Sequence, residues 1–270
     1  MIKKITFVIP VFSDESEIET TLNSIPWSPE IQVLLYSDYA EKTLNLVERV
    51  RTNLLKYHTP EALCIIVSDL PGSDQIKKAE GIGVCDSQFI SFLQPGSEIN
   101  GLDLQELGKL SNSALLFGDL NGSSIFRKTK ETGVLPKTLE GIIFNEEWLK
   151  LDFQNWISLM EKSDLAFLIK ILDKTSFPET FFQSYPKIIQ VDQYDSSILD
   201  LGEETAVIQA CLNTWGDIGT TVHWKTEMRR YVWGLIQRCS WNICQSASSG
   251  KKKHEYSRFL NPDNIVSFLN

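Results

Sequence analysis

Four times in about the first 100 residues, a short apolar run gives way to a polar turn and then to apolar residues at helical spacing. Residues 5–12 are a continuous apolar run, the pattern of a strand buried on both faces. The polar stretch 13–16 suits a helix cap, and Ile18, Leu22 and Ile25 then recur at helical spacing. Residues 33–36 predict a second strand, and Leu44, Val47, Val50 and Leu54 the stripe of a second helix. Residues 63–67 predict a third strand, followed by a polar turn over 69–74 and a short helix carrying Ile76 and Ala79. A fourth strand is expected over 89–93, ending at Gln94-Pro95-Gly96. Leu104, Leu107 and Leu110 suggest a further helix, and 114–117 a further strand. Repeated strand–helix units imply an α/β chain with a doubly wound, mostly parallel sheet and helices on both faces. Such sheets bind ligands beyond the carboxyl ends of their strands. Attention therefore falls on 13–15, 37–38, 69–74 and 94–97.

The second half is less regular. Residues 121–136 are polar and read as irregular; 141–144 and 187–191 read as strands. Ile157, Met160, Leu168 and Ile171 form a helical stripe. Residues 203–215 and 226–244 read as helices, the latter rich in aromatics (Tyr231, Trp233, Trp241). The expected division is an α/β ligand-binding half over 1–118, a second half of the same domain over 119–200, and a helical C-terminal region over 201–270.

Composition narrows the function. The chain has 270 residues, 26 Lys plus Arg against 35 Asp plus Glu, and a net charge of −9. Proteins of duplex nucleic acid normally carry a basic surface that displaces counterions, so nucleic acid is not the expected partner. An acidic chain still binds a phosphorylated small molecule through a few cations and backbone N–H groups. No apolar run reaches the ~18 residues of a transmembrane helix, and the start does not match a signal peptide. A reducing cytoplasm is the expectation. The five cysteines (Cys64, Cys85, Cys211, Cys239, Cys244) are odd in number and widely spaced, which favours buried free thiols over disulfides or zinc.

Several familiar chemistries have no motif here: there is no P-loop, no dinucleotide fingerprint after the first strand and no nucleophile elbow. His58, His223 and His254 are far apart. Asp164 stands out because it falls on the stripe from Ile157 to Ile171. A carboxylate on an apolar face is costly unless paired, capping or functional. On spacing alone, a place in the first turn of a helix starting at Ser163 outweighs a functional role. Lys77 and Lys78 have the charge to meet a diphosphate, although adjacent lysines more often mark a solvated face. Asp38 ends the second strand, where an acid can accept from a base or ribose, but a turn-forming role is the simpler reading.

Taken in order, these segments resemble the family 2 glycosyltransferases, which have the nucleotide-sugar-binding GT-A fold. Thr6-Phe7-Val8-Ile9-Pro10-Val11-Phe12-Ser13-Asp14-Glu15 is similar to that family's first strand, which usually ends Pro-Val-Tyr-Asn-Glu-Glu. The helix that follows is similar to its Leu-x-x-Thr-Leu-x-Ser-Ile, and 32–38 stands where the family has its second strand and nucleotide-contacting Asp. Lys77-Lys78-Ala79-Glu80-Gly81-Ile82 takes the place of Ala-Arg-Asn-x-Gly-Ile. Residues 85–93 resemble the approach to the metal-binding Asp-x-Asp. Gly141-Ile142-Ile143-Phe144 resembles the Gly-x-Ile-Phe before the acceptor region, and Ser163-Asp164-Leu165-Ala166-Phe167 the Glu-Asp-x-x-Phe that supplies the catalytic base.

The resemblance implies a GT-A-like fold over roughly residues 1–200. It implies a transferase that moves a sugar from a nucleotide-diphosphate donor to a hydroxyl of a glycan or lipid-linked acceptor, with Asp164 as catalytic residue. It places Pro10, Phe12, Asp14, Asp38, Lys78, Gln94 and Gly96 at the nucleotide-sugar site. Bacterial surface-polysaccharide assembly is the usual setting, which implies a cytoplasmic protein, peripheral to the inner face of the membrane when the acceptor is lipid-linked. Oligomeric state stays open. The chain also departs from the family. Gln94-Pro95-Gly96 stands where Asp-x-Asp would bind the usual divalent metal, and neither Gln94 nor Gly96 offers an anionic oxygen. Glu98 and Asp103 lie just downstream. Ser163 replaces the Glu of the Glu-Asp pair, Ala79 the family's Asn, and Ser13 the Asn before the first acids. Two readings follow: a transferase working without a metal, and a catalytically inactive homologue that binds a glycan, a nucleotide or a partner.

Overall fold

The structure is a computed structural model describing residues 3–12, 16–110, 115–125, 138–150, 164, 167–168, 182–184 and 188–192, with Ser16, Trp148 and 182–184 described by backbone alone. The expected Asp14 and the helices expected over 203–215 and 226–244 lie outside the described residues.

The chain runs β1 (Lys3–Val11), α1 (Ser16–Ser24), β2 (Ile31–Ser37), α2 (Ala40–Leu54), a 3-10 turn (Pro60–Ala62), β3 (Ile65–Asp69), α3 (Asp74–Val84) and β4 (Ser87–Phe92). It continues with β5 (Glu98–Leu102), α4 (Leu104–Lys109), β6 (Leu115–Phe117), β7 (Asp119–Leu120), β8 (Ser123–Ser124), β9 (Ile142–Asn145), α5 (Glu146–Lys150), β10 (Phe182–Ser184) and β11 (Ile189–Asp192). The main sheet has the order β10-β6-β9-β4-β1-β2-β3. β4, β1, β2 and β3 are mutually parallel, as the repeated strand–helix pattern requires. β9 is antiparallel to both β4 and β6. β5, β11, β7 and β8 make a second, smaller sheet.

β1 is central and, beyond its two opening lysines and Thr6, reads as apolar because both its faces are covered. Ile5, Phe7, Ile9 and Val11 share a core with Ile18, Leu22 and Ile25 of the α1 region and Leu46, Val47, Val50 and Leu54 of α2. Val8, on the opposite face, meets α3: a Cβ on Gly81 would lie 2.5 Å from Val8 Cγ1. Only glycine lets this helix approach so closely, which brings residues 74–78 to the carboxyl end of β1.

Three local expectations change. Leu44 and Ile76 are exposed, and α2 buries Thr43 and Leu46 instead. A stripe read at fixed spacing cannot tell which flank of an amphipathic helix meets the sheet. Residues 119–124, in part expected to be irregular, form a tight β7–β8 hairpin. Its turn residues Asn121 and Gly122 both have positive φ (51° and 68°), the type I′ geometry that suits a two-residue connection. Cys85 is buried as expected but Cys64 only half so; both are free thiols, and the other three lie outside the described residues.

Candidate functional site

The site grows from α3. Ser73 caps this helix by accepting the Ile76 N–H at 3.3 Å, and Asp74 sits in the first turn, where a carboxylate suits the helix dipole. Its two lysines are not a solvated face: Lys77 is 0% exposed and Lys78 1%. Each has polar partners that make burial tolerable, and the partners differ.

Lys77 points to the end of β1. Its Nζ donates to the Val11 carbonyl at 2.7 Å and to Asp38 Oδ1 at 2.9 Å. It also lies 4.0 Å from the centre of the Phe12 ring, a cation–π contact. Asp38 accepts the Gly72 N–H at 3.2 Å as well. The hydrogen bond from Lys77 holds the Asp38 carboxyl below its usual range, against a small opposing effect of burial. Phe12 and Asp38 thus stand together, partly exposed, beyond β1 and β2. Pro10, one turn of the pleat earlier, pairs with Tyr36 in the sheet.

Lys78 points the other way. Its Nζ is 2.6 Å from Asp164 Oδ2 and 2.6 Å from Asp74 Oδ2. Asp164 is helical and buried, and Phe167, three residues on, packs its ring 5.9 Å from that of Phe144 on β9. Leu168 of the expected stripe is buried too, the other stripe residues and Ser163 lie outside the described residues, and pairing with Lys78 accommodates the buried acid. Burial raises the Asp164 pKa; Lys78 opposes this and Asp74 adds to it, leaving the carboxyl above its ordinary value. Burial alone would lower Lys78, but Asp164 and Asp74 more than reverse that, so its ammonium stays charged. Among the described residues, Oδ1 of Asp164 and Oδ1 of Asp74 are buried without a close hydrogen-bond partner, and the Leu139 backbone N–H adds some stabilisation to the ionised Asp164. Such atoms carry a desolvation penalty unless a ligand meets them.

The loop after β4 closes this end. Gln94 Nε2 donates to Asp74 Oδ2 at 3.2 Å, and the Gln94 N–H donates to Glu140 Oε1 at 2.9 Å. Ser97 Oγ donates to the same Glu140 oxygen in a very short hydrogen bond. Gly96, at φ 90°, donates its N–H to Thr21 Oγ1 at 2.9 Å. Glu140 is 1% exposed, and burial raises its pKa despite the bonds from Ser97 and Gln94.

These residues do not fit the divalent metal that the resemblance implies. Gln94 presents an amide that is already engaged, Gly96 has no side chain, and Glu140 is used inside the loop. Asp103, the acid downstream, caps α4 by accepting the Glu106 N–H at 2.9 Å, and Glu98 lies exposed on β5. Among the described residues, no three His, Cys, Asp or Glu side chains converge to hold a metal.

The structure therefore joins Phe12 with Asp38 through Lys77, Lys78 with Asp164, and Gln94 with Asp74 beside that pair. Sequence reading drew attention to the segment 69–74 without singling out Asp74, and it missed Glu140. Asp74 was within reach, being four residues before Lys78 and hence on one helix face with it. Glu140 has no such signal, because only the antiparallel return of β9 brings it to the loop.

No protein-family model matches the chain, and no curated protein does. Solved structures do. S. aureus TarS 1–349 in complex with UDP-GlcNAc superposes with a TM-score of 0.60 at 14% identity, covering 98% of this chain and 81% of that one. The mannosyltransferase PcManGT from Pyrobaculum calidifontis, in complex with GDP-Man and Mn²⁺, gives 0.56 at 8% identity, covering 98% and 86%. Against S. aureus TarS of greater length the TM-score is 0.62 at 14% identity, and the chain spans 49% of that protein. The α/β fold with its mostly parallel sheet is thus shared with glycosyltransferases. Among the described residues, no helix is long and apolar enough to cross a membrane.

Proposed function

We propose that this protein is a glycosyltransferase that moves a sugar from a nucleotide-diphosphate donor to an acceptor hydroxyl, with Asp164 as the general base. The observation that carries the reading is the Asp164 carboxylate: buried, held through Oδ2 by Lys78, and with Oδ1 unpartnered among the described residues. In a fold shared with nucleotide-sugar transferases, such an oxygen suits an acceptor O–H. Asp164 Oδ1 takes the hydroxyl proton as the acceptor oxygen forms its bond to the anomeric carbon. The bond from that carbon to the phosphate oxygen breaks, and the nucleoside diphosphate leaves with the electron pair. Phe12 and Asp38, with Pro10 behind them, are assigned to the nucleoside, and the loop at Gln94 and Gly96 to the sugar diphosphate. Neutralisation of the leaving group is assigned to protein cations or backbone N–H groups, because the Gln94 loop lacks the acids that would hold a metal.

A second reading, a binding protein without catalysis, is favoured by that same loss of the metal acids. One experiment separates the two. The protein is heated with a panel of nucleotide-diphosphate sugars, each with Mn²⁺, Mg²⁺ or EDTA, and the stabilising donors are then tested for transfer. A ligand of the native state raises the midpoint by mass action. A shift that survives EDTA, followed by transfer, is expected. No shift with any donor would sink the transferase reading.

A further inference from the structure

We infer that Lys78, braced by Asp74, is a positioning residue for the Asp164 carboxylate and not a ligand of the donor diphosphate. The inference rests on the reading of Asp164 as the base. An ammonium has three donors, and two of these point at carboxylate oxygens 2.6 Å away, the range of charge-assisted hydrogen bonds. One cation between two carboxylates also leaves no net positive charge to attract a diphosphate.

The same geometry suits a strut. Asp74 and Lys78 are one turn apart on α3, so the brace is rigid. Gln94 donates to the same Asp74 oxygen that Lys78 binds, tying the strut to the loop after β4. With Oδ2 held, Asp164 keeps one rotamer and aims Oδ1 alone. Among the described residues, the charged groups that act on Asp164 are Lys78 and Asp74 from α3 and Glu140 from the turn before β9. Lys78 favours the ionised base and the two acids oppose it.

The test titrates the Asp164 carboxyl by ¹³C NMR in the full chain labelled at aspartate, the signal being assigned by its loss in Asp164→Asn. In Lys78→Met, the midpoint is expected to rise by about one unit or more, a tenfold gain in proton affinity. Lys78→Arg should restore much of it, and Asp74→Asn should lower it. With a donor identified, Lys78→Met should carry the acid limb of kcat to higher pH and leave the donor KM nearly unchanged. A midpoint that stays put in Asp74→Asn, with donor KM raised tenfold or more in Lys78→Arg, would overturn the inference in favour of a diphosphate ligand. If Lys78→Met does not fold, these two variants decide alone. Midpoints that move as expected, in a protein whose Asp164→Asn variant transfers sugar normally, would instead overturn the base reading.

Discussion

Two neighbouring lysines of one helix each pair with an aspartate from elsewhere in the chain, and the two carboxyls shift in opposite directions. Asp38 and Lys77 are 2.9 Å apart, and the Asp38 side chain is 29% exposed. Its carboxyl is lowered, as an ion pair normally dictates. Asp164 and Lys78 are closer, at 2.6 Å, but that carboxylate is only 9% exposed and its pKa is raised. Distance therefore does not decide. Water does: the exposed acid keeps its hydration and gains the pair, whereas the buried acid loses hydration and shares its cation with Asp74. On the proposed function, the half-exposed Asp38 suits reversible binding of a neutral nucleoside, whose O–H and N–H groups can donate to a carboxylate. The buried end suits a carboxylate whose proton affinity has been lifted toward that of a working base.

The sharpest way to break this contrast is Asp164→Asn. Transfer should fall by about 10²–10⁴-fold, the range for loss of a general base, with the far-ultraviolet spectrum unchanged. Stability should move the other way. A raised folded-state pKa means that ionisation weakens the fold as pH rises from the ordinary carboxylate range through the raised value. Urea unfolding near neutral pH should then show the variant no less stable than the parent. A large loss of stability would mean that Lys78 depends on Asp164 more than on Asp74.

Next in size is Gly81→Ala, which pushes α3 off β1 by forcing a methyl against Val8. Overpacking of this kind costs about 1–3 kcal/mol. Because both lysines ride on this helix, donor binding and turnover should suffer together; loss of only one would show that the two ends move independently. Ser73→Ala, which removes the cap of the same helix, should cost about 1 kcal/mol in urea unfolding.

The smallest effect belongs to the exposed pair. Asp38→Asn should cost under ~1 kcal/mol at neutral pH, because partly exposed ion pairs are screened. The sign follows from a lowered folded-state pKa: the contribution is present above the unfolded value of ~3.9 and fades as pH falls through the folded value. Parent and variant should converge in acid. Weaker nucleotide binding in Asp38→Asn, measured by calorimetry, would tie this end to the nucleoside.

Much of this was legible from local pattern. The apolar run of β1, the helical repeats and the polar breaks placed the parallel strands, since each depends on residues close in the chain. Asp164 was legible as an anomaly, an acid on an apolar stripe. Lys77 and Lys78 were legible as candidates but not in their roles, because neighbours on a helix diverge by about 100°. The β7–β8 hairpin had a signal in Asn121-Gly122, but the whole stretch from 121 was read as irregular.

The amino-acid sequence by itself determined the layered α/β architecture and the lack of an acid at Gln94 and Gly96, both properties of residue type and short-range spacing. Only the tertiary structure decided which carboxylate each lysine meets, that Glu140 braces the loop after β4, and which of two similar ion pairs is dry. Those depend on contacts between residues 39 to 86 positions apart and on how much water each contact excludes, which no local pattern encodes.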